Sequence, residues 1–142
     1  MEIKEYMELA SRTDAPLTDN YDKLHAVHMV MGMQTEVGEL VDVYKKNLAY
    51  GKPIDEANEK EEIGDLMWYI ACHCKNKGWD LGEIMATNIA KLQARYPEKF
   101  TSEKAINRNL VREREILEHP LTLSEAYEPG PIGPVDGIED ER

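Results

Sequence analysis

Four carboxylates stand out by type and spacing. Glu36 and Glu39 lie in the stretch EVGEL, and Glu62 and Asp65 lie in its near copy EIGDL; each pair is three residues apart and encloses a glycine, Gly38 or Gly64. At about 100° per residue, Glu36 and Glu39 share a helical sector with Met29, Met33, Leu40 and Val43. Glu62 and Asp65 share theirs with Leu66, Tyr69, Ile70 and His73. Carboxylates on apolar faces repel one another and resist leaving water, so they need a paired base or a metal. A set of hard oxygen ligands suits Mg2+ or Mn2+, and Mg2+ typically keeps some waters and recruits substrate phosphates. An interior helical glycine costs roughly 1 kcal/mol relative to alanine. Gly38 and Gly64 are expected to offset that cost by letting two helices approach until all four acids reach one centre. Either pair alone would suit ordinary helix surface; two matched copies on apolar faces point to a shared cation.

Further along, Asn88, Lys91 and Arg95 recur at i, i+3 and i+7 on one side of a helix. Two cations and an amide in one stripe form a candidate phosphate clamp, with Arg acting as a planar fork and Lys as a point charge. His25, His28 and His73 read as packing or satisfied polar residues and stay outside the metal set. Trp68 and Tyr69, embedded in LMWYIA, read as core, and Met29, Met31 and Met33 as adaptable packing.

Positioning these groups requires helices. A short one is expected over residues 2–11, then a polar connection TDAPLTDN whose Asp19 and Asn20 suit an N-cap. A long helix runs from Tyr21 to about Tyr50 and stops at Gly51. Asp55 starts the next, which reaches Lys77 before Gly78, and Asp80 caps another that Pro97 closes. A fifth, more charged helix is expected over 102–118. Nothing alternates with a period of two, so the fold class is all-α: a four-helix core, bundle-like, with an additional C-terminal helix and an extended tail. The domain is expected to occupy 1–118, and 119–142, with its EPGPIGPVDGIEDER, to be a Pro/Gly-rich acidic tail or arm.

Charge narrows the partners. Lys and Arg total 17 against 28 Asp and Glu, for a net charge of -11 across 142 residues. Such a surface repels nucleic acid and anionic membranes, and no stretch approaches the roughly 20 apolar residues of a membrane span. Cys72 and Cys74, two apart on a helix, point away from each other and read as buried thiols. A charged N-terminus and reduced thiols make a cytoplasmic setting the expectation.

The run from about Leu24 to Phe100 resembles the MazG-like nucleoside triphosphate pyrophosphohydrolases, relatives of the all-α dimeric dUTPases. The resemblance rests on ExxE at Glu36 and Glu39, ExxD at Glu62 and Asp65 within EIGDLMWYIA, and the closing phrase NIAKLQARYPEKF. It implies a homodimer or dimer of dimers, Mg2+ dependence, and cleavage of a nucleoside triphosphate between its α and β phosphates. By that resemblance Glu36, Glu39, Glu62 and Asp65 are metal ligands and catalytic residues, and Asn88, Lys91 and Arg95 contact phosphate. Which glutamate acts as base, Glu36 or Glu39, stays open. Two rivals remain: a di-metal carboxylate bundle, which would normally need Glu-x-x-His pairs absent from this chain, and a non-enzymatic acidic helical interaction module.

Overall fold

Short polar caps set the helix boundaries. The computed structural model describes residues 1–15 and 21–119, the first three residues of the second helix by backbone alone. Six helices follow in order: α1 (Ile3–Ser11), α2 (Tyr21–Tyr50), α3 (Glu56–Lys77), α4 (Leu81–Arg95), α5 (Ser102–Ile106) and α6 (Leu110–Glu118). No strand occurs among the described residues, and the all-α expectation holds. The Asp55 carboxylate accepts from the amides of Ala57 and Asn58 at 3.1 and 3.2 Å to open α3. Gly78 ends it in the left-handed conformation, φ 67°, its N–H reaching the carbonyls of Cys74 and Lys75. Glu56 and Glu59 in the first turn and Lys75 and Lys77 in the last complement the helix dipole. Gly51 closes α2 with φ 63°. The caps expected at Asp19 and Asn20, and the tail beyond His119, lie outside the described residues.

The chain divides into two compact units, Met1–Gly82 and the residues from Glu83 onward. In the first, α2 and α3 pack as an antiparallel pair. His28 and Gly32 meet Tyr69, Glu36 meets Glu62 and Asp65, and Tyr44 donates to Glu59, so contacts that climb α2 descend α3. The α1 helix lies on α3: Trp68 Nε1 donates to the Ala10 carbonyl at 3.0 Å and to Thr13 Oγ1 at 2.9 Å, and Lys75 pairs with Glu8. Met7, Ala10, Met29, Ala71, Cys72, Cys74 and Leu81 form the core, flanked by Trp68, Tyr69 and Ile70. His25 is fully buried with Nε2 at 2.6 Å from Asp14 Oδ2, the satisfied polar role expected of it. Cys72 and Cys74 are free and buried; burial pushes the Cys72 thiol up to about 11 and raises that of Cys74.

In the second unit the charged segment expected as one helix is two. Thr101 caps α5 through Lys104 N, and Asn109 Oδ1 accepts from Arg112 N at 3.0 Å to open α6. A break between two capped starts is cheaper than continuing the helix through Asn107, Arg108 and Asn109, because asparagine competes with the helical ladder for its own backbone. Glu113 anchors the unit. Its buried carboxylate accepts from Arg95 Nε at 2.9 Å and Nη2 at 2.5 Å, and from Arg108 Nε at 3.3 Å and Nη2 at 2.6 Å. These bonds, Arg108 first and then Arg95, hold its pKa down at about 2, from an ordinary 4.5. A depressed acid stabilises the fold above its unfolded pKa and loses that contribution as pH falls toward the folded value. Thermal midpoints measured between pH 5 and pH 3 are therefore expected to fall less steeply in Glu113→Gln than in the wild type; parallel slopes would show that this clamp contributes nothing.

Candidate metal centre

The antiparallel register brings Glu36 of α2 opposite the next-to-middle turns of α3. One carboxylate oxygen from each of Glu36, Glu62 and Asp65 lies within 4.8 Å of the others. Glu62 is buried, at 6% exposed, Glu36 is half-buried and Asp65 is open to solvent. Asn58, one turn before Glu62, donates its side-chain amide to Glu62 Oε1 and fixes that carboxylate. Loss of water, and then the charges of Glu39, Asp65 and Glu62, raise the pKa of Glu36. The Tyr69 hydroxyl is raised too, by burial and then by Glu36 and Asp65, so it stays a donor beside the acids.

These residues fit a hard divalent cation. The group offers oxygen only, burial and then the neighbouring acids hold a proton on Glu36 more tightly than usual, and one side is open for waters or phosphate. A cation there would reverse the repulsion that the geometry creates.

Of the four acids singled out by spacing, three converge. Glu39 lies outside the group and is exposed, though close enough to act on Glu36. Three residues of helix turn it about 60° away from Glu36, and only Glu36 faces α3. On α4, Asn88 is exposed and Lys91 half-buried, with no ion pair to Lys91 among the described residues. The Arg95 guanidinium is engaged by Glu113. Sequence reasoning missed Asn58, although its i, i+4 spacing to Glu62 was a usable signal, and it placed Tyr69 only as core.

The glycines need correction. A Cβ at Gly38 or Gly64 would meet nothing within 4 Å, so neither serves the approach of α2 to α3. That approach is at Gly32, where an added Cβ would overlap Cε1, Cζ and Cδ1 of the Tyr69 ring. The close contact thus sits one turn before Glu36.

A family model, the MazG nucleotide pyrophosphohydrolase domain, matches residues 26–100, more than half of the chain and the whole of the stretch that carries the acids. No curated protein and no solved structure matches the chain.

Proposed function

Because this chain belongs to the MazG nucleotide pyrophosphohydrolase family, we propose that it hydrolyses nucleoside triphosphates between the α and β phosphates, giving a monophosphate and pyrophosphate. The observation that carries the reading is the convergence of Glu36, Glu62 and Asp65 within the matched stretch. These three would hold Mg2+, or Mn2+ in its place, with Glu39 as a fourth acid at the rim. Such an ion would supply Lewis-acid polarisation of phosphate oxygens and a more acidic bound water. The chain supplies the rest. Asn58 keeps Glu62 from rotating out of the group. Glu39, exposed and outside the trio, is the carboxylate left to take the proton of the water that attacks the α phosphorus. Asn88 and Lys91, on one side of α4 within the matched stretch, are assigned to phosphate oxygens, where charge develops on the leaving group. Arg95 would join them through Nη1, since Nε and Nη2 are held by Glu113.

The test is a panel of ribo- and deoxynucleoside triphosphates incubated with and without Mg2+. Metal-dependent release of monophosphate and pyrophosphate in equal amounts is expected. Diphosphate with inorganic phosphate, or no metal-dependent turnover of any nucleotide, would reject the reading.

The working unit is proposed to be a homodimer or a dimer of dimers. Opposite the buried side of α2, Val27, Val30, Met31, Val37 and Val41 are exposed and fall within about 120° of one another. This stripe also contains Gln34 and Gly38 and no charge, unusual in a chain of net charge -11. An uncovered apolar line of this kind marks a contact surface. A second copy is the occupant that fits, because a two-fold axis pairs the stripe with itself without opposing acids. Open space over Gly38 would then admit a helix at close range. Sedimentation velocity is expected to show a dimer or larger for the wild type and a monomer for Val41→Glu; a monomeric wild type would remove this assignment. No helix among the described residues is long and apolar enough to cross a membrane, and the free thiols of Cys72 and Cys74 suit a reducing, cytoplasmic setting.

A further inference from the structure

We propose that a second site, built by the end of α4, α5 and the start of α6, binds a small phosphate anion. A cavity of about 180 Å³ there is lined by Arg95, Lys104, Asn107, Asn109, Arg112 and Glu113, together with Ala94 and Pro97. That volume is below the roughly 300 Å³ at which pockets begin to hold drug-sized ligands, so the occupant is phosphate or pyrophosphate rather than a nucleoside.

The charge balance points the same way. In a chain with 11 more negative than positive charges, this wall carries Arg95, Lys104 and Arg112 against the single carboxylate of Glu113. Glu113 is already shared between Arg95 and Arg108, so one negative charge faces two guanidinium groups. Lys104 has no ion pair among the described residues. Arg112 touches Glu115 through Nη1 at 3.2 Å, with both side chains more than half exposed, a contact too weak to neutralise it. Holding the fold explains Arg95, Arg108 and Glu113; it does not explain why Lys104 and Arg112 are gathered at the same cavity.

The donor set favours an anion with several oxygens. Asn109 spends its Oδ1 on the Arg112 amide, which leaves its NH2 as a donor, and Asn107 offers another. Two amides, an ammonium and two guanidinium groups from α4, α5, α6 and their caps line the one cavity, a donor set that a tetrahedral phosphate can use and a monatomic anion cannot. The family match ends at residue 100, before Lys104, Asn107, Asn109, Arg112 and Glu113; Arg95 is the one lining residue shared with the phosphate set proposed above, so the site is tested through Lys104 and Arg112, which have no part in the proposed hydrolysis.

The experiment is isothermal titration calorimetry of the full chain with inorganic phosphate and, separately, pyrophosphate, in excess EDTA so that no metal-dependent turnover intervenes. Saturable binding of at least one of the two anions is expected, weakened about tenfold or more in the Lys104→Ala, Arg112→Ala double variant. Both side chains are exposed, so the double variant keeps its fold, which its circular dichroism checks. Lys60→Ala, which removes an exposed cation from α3, is expected to bind like the wild type. Absence of saturable binding of both anions to the wild type would overturn the proposal, as would equal affinity in the double variant or an equal loss in Lys60→Ala. Because no metal is present, these outcomes are independent of whether the carboxylate centre hydrolyses nucleotides.

Discussion

Asp65→Asn and Glu62→Gln are each expected to lower Mg2+-dependent turnover by about 100-fold or more, while leaving the protein folded and no less stable in EDTA. Removing a group that only supports a metal ligand typically costs about 10–100-fold, and these substitutions remove charge from the ligand group itself. The stability half of the prediction follows from the same geometry. Without a cation, Glu36, Glu62 and Asp65 hold like charges close together, and Asp65 and Glu62 add to the rise in the Glu36 pKa that burial and then Glu39 begin. Neutralising one of them relieves that repulsion, and Gln at position 62 still offers Asn58 an acceptor. A residue with a purely structural role would lose activity and stability together. Thermal midpoints in EDTA and in Mg2+, read beside turnover, separate the cases: the wild type should be stabilised by Mg2+ and the variants much less so. Wild-type turnover in both variants would remove the trio from the mechanism.

Gly32→Ala should destabilise the protein by about 1–3 kcal/mol, the usual cost of forcing extra volume into a packed contact. The new methyl would occupy the position of the Tyr69 ring, so the ring must swing out or α2 and α3 must separate. Separation would also spread the acids, since Gly32 lies one turn before Glu36. Metal-dependent activity is therefore expected to fall with stability. Tyr69→Ala added to Gly32→Ala should cost less than the sum of the two single changes, because the clash exists only when both groups are present. By contrast, Gly38→Ala and Gly64→Ala, on open helix surface, are expected to be neutral or slightly stabilising within the monomer through helix propensity alone. Chemical denaturation of the five variants in the monomeric Val41→Glu background tests this. A Gly38→Ala penalty as large as that of Gly32→Ala would show that the wrong glycine has been placed at the contact.

What the sequence disclosed depends on how local each signal is. Asp55, Gly78 and Asp80 act within one turn of their own backbone, and the ends of α3 and the start of α4 were legible from them. The same chemistry at Asn109 was available but lay hidden in a charged run whose helical spacing continues through the break. The acidic centre was legible because the motif is written twice. Its exact membership was not, because whether Glu36 alone or Glu36 with Glu39 faces α3 depends on how α2 is rotated against its neighbour. Gly32 was overlooked for a similar reason: nothing around it is unusual until Tyr69, 37 positions later, is known to lie opposite. The Asp14–His25 pair likewise joins α2 to the segment after α1 through tertiary packing. Contacts set by inter-helix register leave little trace in spacing along one helix.

The most direct test is Mn2+ titration followed by electron paramagnetic resonance, which counts bound ion without any substrate. Saturable Mn2+ binding that Mg2+ displaces, and that Asp65→Asn or Glu62→Gln greatly weakens, is the predicted result. Undiminished binding in both variants, or no saturable binding to the wild type, would contradict the claim that α2 and α3 present their carboxylates to one cation.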